Sequence, residues 1–258
     1  MRRCSSLRAR ARGVVAPCLT PRSRHRRAHP TAVSRLNAVD ADADPDRHLI
    51  EARVDGAPVF SGHFLQAWRD RVRLPDGQLT QREYLVHPGA VMVVPLLEGA
   101  DGRLRVVLER QYRYPVGQVL IEFPAGKLDP GEPVLTCAQR ELREETGYSA
   151  REWARAGCIH PVVSYSTEVI ELWFARGLTP GARALDDGEF LDVFTATPDE
   201  VLAWCRDGRI TDAKTVAGAF WLQNVLRGDW PLQWQEVVAE TGAPGDVAKS
   251  AAPPEGAA

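Results

Sequence analysis

No acidic residue occurs before Asp40 in this 258-residue chain, whereas ten of its 32 basic residues are arginines within the first 35 positions. A segment so rich in Arg and Ser resembles a mitochondrial transit peptide in composition, but Pro17, Pro21 and Pro30 interrupt it and no amphipathic apolar face forms. It also lacks the roughly 7–15-residue apolar core of a secretory signal. It reads as a leader of minor functional weight. No apolar run approaches the roughly 20 residues that a membrane span needs, which excludes a membrane helix. The five cysteines (Cys4, Cys18, Cys137, Cys158 and Cys205) show no CxxC pair and no metal spacing. A scattered, odd set fits a reducing cytoplasm. Cys137 reads as a small core residue. No internal repeat is present. Outside the leader, 22 basic residues face 34 acidic ones, which argues against a nucleic-acid surface and fits a protein that gathers metal cations.

At 44% hydrophobic and 26% charged residues, the composition is that of an ordinary globular chain, long enough for one large domain or two small ones. The acidic, turn-rich stretch Asp40–Asp46 reads as a linker. Strand-like pieces follow at 49–54, 57–64, 68–74, 78–87, 90–97 and 104–110, with a turn at Asp76 and Gly77. Further strands are expected at 119–123, 152–161, 166–175 and 190–195, with a loop through Gly177, Thr179, Pro180 and Gly181. Thr197 and Glu200 flank Pro198 as a capping box that opens a helix to about Cys205. A second helix starts at Thr211 or Asp212 and stops at Gly228. The tail from Thr241 is Ala-, Pro- and Gly-rich and reads as disordered.

The most informative segment is GKLDPGEPVLTCAQRELREETGY, from Gly126 to Tyr148. Glu141, Glu144 and Glu145 are spaced i, i+3, i+4, which places three carboxylates on one face of a helix. Packing gains nothing from such crowding of like charge. A divalent cation relieves it, and hard oxygen donors suit Mg²⁺ or Mn²⁺. A glycine turn (Pro124, Ala125, Gly126) precedes the helix. Asp129, Pro130 and Gly131 lead into Glu132, and Gly147 stands where a helix-terminating glycine belongs.

This pattern resembles the Nudix box, Gly-x5-Glu-x7-Arg-Glu-U-x-Glu-Glu-x-Gly-U, with U a bulky apolar residue. Gly126, Glu132, Arg140, Glu141, Leu142, Glu144, Glu145, Gly147 and Tyr148 fill every fixed position. The resemblance implies an α/β/α sandwich around a mixed sheet, preceded by a small antiparallel N-terminal sheet. It implies hydrolysis of a nucleoside diphosphate linked to another group, with Mg²⁺ or Mn²⁺ held by Glu141, Glu144, Glu145 and the carbonyl of Ala125. Glu132 and Arg140, with Gly126 and Gly147, would be structural parts of the box, bracing loop against helix. The expected organisation is a leader and linker over 1–46, a dimerisation sheet over 47–85, the hydrolase domain over 86–235 and a tail over 236–258.

The flanks LERQYRYP (108–115), LIEFPAG (120–126) and REYLVHPGAV (82–91) resemble the ADP-ribose pyrophosphatase branch. That likeness implies cleavage of ADP-ribose to AMP and ribose 5-phosphate by a homodimer with swapped N-terminal sheets. Hydrolysis of ADP-glucose or GDP-mannose is the alternative. A non-catalytic nucleotide sensor and an RNA-cap hydrolase fit less well, because the box glutamates are intact and the body is acidic. By resemblance, Arg113 contacts the diphosphate or the terminal ribose phosphate, and Arg82 reaches the substrate from the partner subunit. Glu168 binds the adenine or ribose side, although Pro161-Val-Val-Ser stands where the branch has Pro-Gly. Phe64, Trp68 and His63 are the candidates for stacking on adenine. The general base is Glu189 or Asp187, in the loop 184–190.

Overall fold

The computed structural model describes residues 45–237. The leader expected over 1–46 lies almost wholly outside the described residues, as does most of the expected tail. The described chain falls into two compact units. One comprises residues 45–90, Lys127–Pro133 and Gly157–Glu171, and the other Val91–Gly126, Val134–Ala156 and 172–237.

The first unit is built on three antiparallel strands, β1 (Ala52–Ser61), β2 (Gln66–Arg73) and β3 (Leu79–Val86), in the order β1-β2-β3. Sequence patterning predicts two strands where β1 is one. Gly56 and Pro58, which read as punctuation, lie within an edge strand whose register shifts between Arg53 and Asp55 and again between Pro58 and Phe60. Irregular edge strands accommodate such residues. Asp70, on β2, is only 3% exposed. Its Oδ2 accepts hydrogen bonds from Arg53 Nε at 2.8 Å and from the Tyr84 hydroxyl at 2.9 Å, so one carboxylate ties β1 to β3. Gly56 faces it, and a Cβ there would fall 1.8 Å from Asp70 Oδ1. Burial, together with the Asp70 hydrogen bond and charge, pushes the Tyr84 hydroxyl up to about 12. Asp70→Ala is expected to destabilise this sheet by about 2 kcal/mol, the cost of two charge-assisted bonds discounted for the part-exposed arginine. Urea denaturation followed by hydrogen exchange in β1–β3 checks this; a change below about 0.5 kcal/mol would contradict it.

The second unit carries most of an eight-stranded mixed sheet. Its strands are β4 (Ala90–Glu98), β5 (Leu104–Arg113), β6 (Gln118–Glu122), β7 (Ala125–Lys127), β8 (Tyr148–Ile159), β9 (Ile170–Pro180), β10 (Leu191–Ala196) and β11 (Gln235–Glu236). The order is β10-β5-β4-β9-β8-β11, with β6 paired to β5 and β7 to β4. Val91–Val94 and Val106–Leu108 are fully buried, as are Leu172, Phe174 and Ala175. Such continuous apolar runs mark strands covered on both faces.

The covering helices are α1 (Val134–Thr146), α2 (Pro198–Arg206) and α3 (Ala213–Leu226). α2 opens on the expected capping box, Thr197 and Glu200. α3 is capped by Asp212, which accepts from the Thr215 N–H at 2.9 Å. α2 and α3 pack together and lie on β5 and β6 respectively. The approach of α3 is close enough that a Cβ on Gly218 would lie 2.6 Å from Met92 Cε. Cys137 is fully buried, as its reading as a core residue requires.

Two boundaries differ from the sequence reading. β8 begins at Tyr148 rather than near Glu152, because Gly147 (φ 77) turns the chain directly from α1 into the strand. β9 runs on through Gly177 and Thr179 to Pro180, where a loop is expected, and begins at Ile170 rather than Ser166. Gly177 (φ 67) absorbs its irregular backbone within the strand. No helix among the described residues is long and apolar enough to cross a membrane.

Candidate active site

The box folds as strand, loop and helix. Val93 N donates to Pro124 O at 2.9 Å and fixes the loop entry against β4. Farther along, Asp129 and Glu132 close their own turn: Glu132 N donates to Asp129 O at 3.0 Å, and Asp129 N donates to Glu132 Oε2 at 3.1 Å. On α1, Glu145 is 3% exposed, and its Oε2 accepts from Ala125 N at 3.0 Å. The Glu141 carboxyl rests directly on Gly126, where a Cβ would fall 1.9 Å from the carboxyl carbon. Only glycine at 126 permits this contact. Arg140 Nη1 donates to Glu141 Oε1 at 2.8 Å and to Glu144 Oε2 at 3.1 Å, so one guanidinium holds two of the three carboxylates. Gly147 ends the helix, donating to Arg143 O at 2.9 Å.

The electrostatics of this face are unfavourable for the protein alone. Burial pushes Glu141 up to about 7 against the pull of Arg140, and the charges of Glu144 and Glu189 add to the rise. Glu145 is raised well above the ordinary range by burial and by the charges of Glu109, Glu141 and Glu189. Of the two candidate bases, Glu189 is part-buried and its charge acts on Glu109, Glu141 and Glu145. Its own turn is closed by Glu189 N donating to Asp186 O at 3.0 Å. Asp187, beside it, is exposed.

Arg113, at the end of β5, forks onto Glu122 of β6, with Nε and Nη2 at 2.7 and 2.8 Å. Lys214, from the first turn of α3, binds the same carboxylate and lies 3.1 Å from Asp212. Burial pushes Glu122 up, but the Arg113 hydrogen bonds and the Lys214 charge outweigh it, and its carboxyl stays below the usual range. Glu109 lies opposite Glu122 in the β5–β6 register. It is fully buried, neither oxygen has a hydrogen-bond partner, and burial with the charge of Glu122 raises it to about 7. Sequence reasoning passed over Glu109, Glu122 and Lys214. The available signal was the acidic residue inside each of the apolar strands VVLER and VLIEF.

The remaining candidates lie in the first unit. Phe64 meets His87 edge-on at 5.6 Å, and Lys127 Nζ stands 4.2 Å from the Phe64 ring centre. Glu168 Oε1 is 3.7 Å from His87 Nε2. Burial holds His87 below the usual imidazole range; Glu168 opposes this and Lys127 reinforces it. His63 is exposed and Trp68 part-buried. Arg82 is paired with Glu51, Nε to Oε2 at 3.0 Å.

Among the described residues, no group of three acidic, His or Cys side chains is already drawn around one point as a metal cage. The donor set nonetheless fits a hard divalent cation. The carboxylates of Glu141 and Glu145 are buried against the loop, and like charges crowd them. Oxygen-only donors of this kind suit Mg²⁺ and Mn²⁺.

A model of the NUDIX domain matches residues 86–218, just over half of the chain. The chain is 38% identical over 177 residues to the methanol dehydrogenase activator of Bacillus methanolicus, covering 67% of this chain and 92% of that protein. It is 31% identical over 179 residues to the ADP-ribose pyrophosphatase of Bacillus subtilis (strain 168), covering 69% and 95%. In fold it is similar to the crystal structure of an ADP compounds hydrolase, with a TM-score of 0.62 at 22% identity over 69% of this chain and 95% of that one. Fold, box geometry and sequence likeness agree, and this chain belongs to the Nudix hydrolase family.

Proposed function

We propose that this protein hydrolyses the diphosphate of ADP-ribose to AMP and ribose 5-phosphate with Mg²⁺ or Mn²⁺. The observation that carries the reading is the docking of Glu141 and Glu145 of α1 onto the Gly126 loop. The likeness to an ADP-ribose pyrophosphatase supports the substrate. Glu141, Glu144, Glu145 and the carbonyl of Ala125 would hold the metal. When bound, a divalent cation offsets the negative charge of a diphosphate and eases deprotonation of water. Arg140 holds Glu141 and Glu144 in place. Arg113 uses Nε and Nη2 on Glu122, which orients its guanidinium and leaves Nη1 for a phosphate oxygen. A carboxylate of the 184–190 loop takes the proton from the attacking water. Glu189 suits that task better than Asp187, because its charge bears on the metal-holding carboxylates. In-line attack at one phosphorus then releases the two monophosphates.

The specificity reading is tested by turnover of ADP-ribose, ADP-glucose, GDP-mannose and NADH by the purified chain. The expected result is a kcat/KM for ADP-ribose at least about tenfold above the others, a difference of about 1.4 kcal/mol in transition-state stabilisation. A clear preference for another nucleotide sugar would move the function to that substrate.

The proposal includes a cytoplasmic homodimer, with 47–85 as the dimerisation sheet and 86–235 as the hydrolase domain. The sheet exposes Val54, Val59, Phe60 and Leu79, apolar surface that a second subunit would cover. Phe64 and Glu168 would receive the adenosine end of the substrate, and Arg82 would act on the partner's substrate. Mixing Arg82→Ala chains with Glu145→Gln chains is then expected to restore part of the activity, since one site in each mixed dimer keeps both residues. No recovery after verified subunit exchange would remove Arg82 from the site.

A further inference from the structure

The turn His87-Pro88-Gly89, which follows β3, is held from several sides within the first unit. Leu85 N donates to Tyr165 O at 2.8 Å and Thr167 N donates to Leu85 O at 2.9 Å, so the segment 165–167 lies alongside β3. His87 N donates to Thr167 Oγ1 at 2.9 Å, and Ala90 N donates to Val169 O at 2.9 Å. Inside the turn, Gly89 takes φ 99, and its N–H donates to His87 Nδ1 at 3.1 Å. A backbone N–H can only donate, so Nδ1 is the acceptor. A neutral imidazole with Nδ1 accepting carries its proton on Nε2. Burial favours that neutral ring. The fold therefore presents His87 as a fixed hydrogen-bond donor at Nε2.

Glu168 Oε1 lies 3.7 Å from this Nε2. That is beyond a direct hydrogen bond, and a separation of this kind is bridged by a third polar group. Both side chains are partly open, at 13% and 23% exposure, so a ligand can reach the gap. An anionic group would meet the charge of Glu168, and a cation would meet the Nε2–H. A hydroxyl meets both needs with one oxygen, accepting from Nε2–H while it donates to the carboxylate. Phe64, edge-on to His87 at 5.6 Å and 44% exposed, sets an apolar wall beside the pair. A sugar, with hydroxyls projecting from a hydrocarbon ring, matches that combination.

We propose that His87 is a specificity-determining residue, whose Nε2–H acts with the Glu168 carboxylate to clamp one hydroxyl of the adenosine ribose. The inference rests on the reading that Phe64 and Glu168 receive the adenosine end of the substrate, and it names the group that is recognised there. The site then selects ribonucleotides over deoxyribonucleotides that lack this hydroxyl, because removing it leaves both a donor and a carboxylate without their partner.

The test compares kcat/KM for ADP-ribose with that for two analogues, lacking the 2′- or the 3′-hydroxyl of the adenosine ribose. Wild type is expected to prefer ADP-ribose to one of them by at least about tenfold. His87→Asn keeps an oxygen able to accept from the Gly89 N–H but has no donor where Nε2 lies. In it the preference is expected to shrink at least about threefold, with kcat/KM for that analogue changed less than about twofold. His87→Gln, whose amide reaches the position of Nε2, should retain more of the preference than His87→Asn. Equal kcat/KM for all three substrates in wild type overturns the clamp without any variant. A loss in His87→Asn that falls equally on all three substrates, or a preference that survives it, also overturns the clamp and leaves the ADP-ribose reading standing. If wild type prefers another nucleotide sugar, the same comparison is made with that sugar and its deoxynucleoside analogues. A preference that shrinks there supports the clamp while the ADP-ribose reading falls. If wild type hydrolyses no nucleotide sugar, both readings fail together.

Discussion

Glu145→Gln is expected to lower turnover by at least about a hundredfold with the fold intact, a loss of about 2.7 kcal/mol or more of transition-state stabilisation. Glutamine keeps the shape of the side chain, and its carbonyl oxygen can still accept from Ala125 N, the bond that Glu145 makes at 3.0 Å. Only the charge is lost. In the protein alone that loss is a relief, because burial and the charges of Glu109, Glu141 and Glu189 all oppose ionisation of Glu145. The melting temperature in EDTA should therefore be unchanged or higher. With metal present the same charge is the anchor that places a Lewis acid at the diphosphate. Turnover is measured at saturating Mg²⁺ with melting followed in parallel. A value within about threefold of wild type would refute the role of Glu145 as a metal ligand, since a ligand's charge is worth more than that.

Gly126→Ala is expected to reduce turnover by about ten- to a hundredfold and to weaken Mg²⁺ activation, with a stability change below about 1 kcal/mol. The added Cβ would meet the Glu141 carboxyl at 1.9 Å. That carboxyl is the end of a flexible side chain, so it can swing aside at little cost in stability, but it then leaves the loop. Gly147→Ala is the control. There the backbone has φ 77, and a Cβ would fall 2.8 Å from the Gly181 carbonyl oxygen. Backbone cannot swing aside, so this change should cost about 1–2 kcal/mol of stability and leave the concentration of Mg²⁺ needed for half-activation unaltered. If Gly126→Ala instead destabilised as strongly as Gly147→Ala and left Mg²⁺ activation normal, the contact with Glu141 would be structural only.

Periodicity and punctuation carried most of the element reading, because the signals that start and stop helices are local. Thr197, Pro198 and Glu200 cap α2 through bonds within four residues, and Gly147 ends α1 through its own backbone conformation. Strand limits were less legible. Whether Gly56, Pro58 or Gly177 breaks a strand or is absorbed by it depends on the neighbouring strand, which lies far away in sequence. The two-unit partition of the chain is likewise a property of contacts between distant segments.

What the sequence determined by itself is the box: the i, i+3, i+4 spacing sets Glu141, Glu144 and Glu145 on one helical face whatever surrounds them. The glycine at 126 and the stop at 147 are also local necessities. Only the tertiary structure decided how those charges are balanced. Strand pairing sets Glu109 opposite Glu122, α3 brings Lys214 to Glu122 across 92 residues, and the 184–190 loop brings Glu189 within electrostatic reach of Glu145. These pairings join residues that no local periodicity relates, and burial, which makes their charges matter, exists only once the sheet and helices have closed over them.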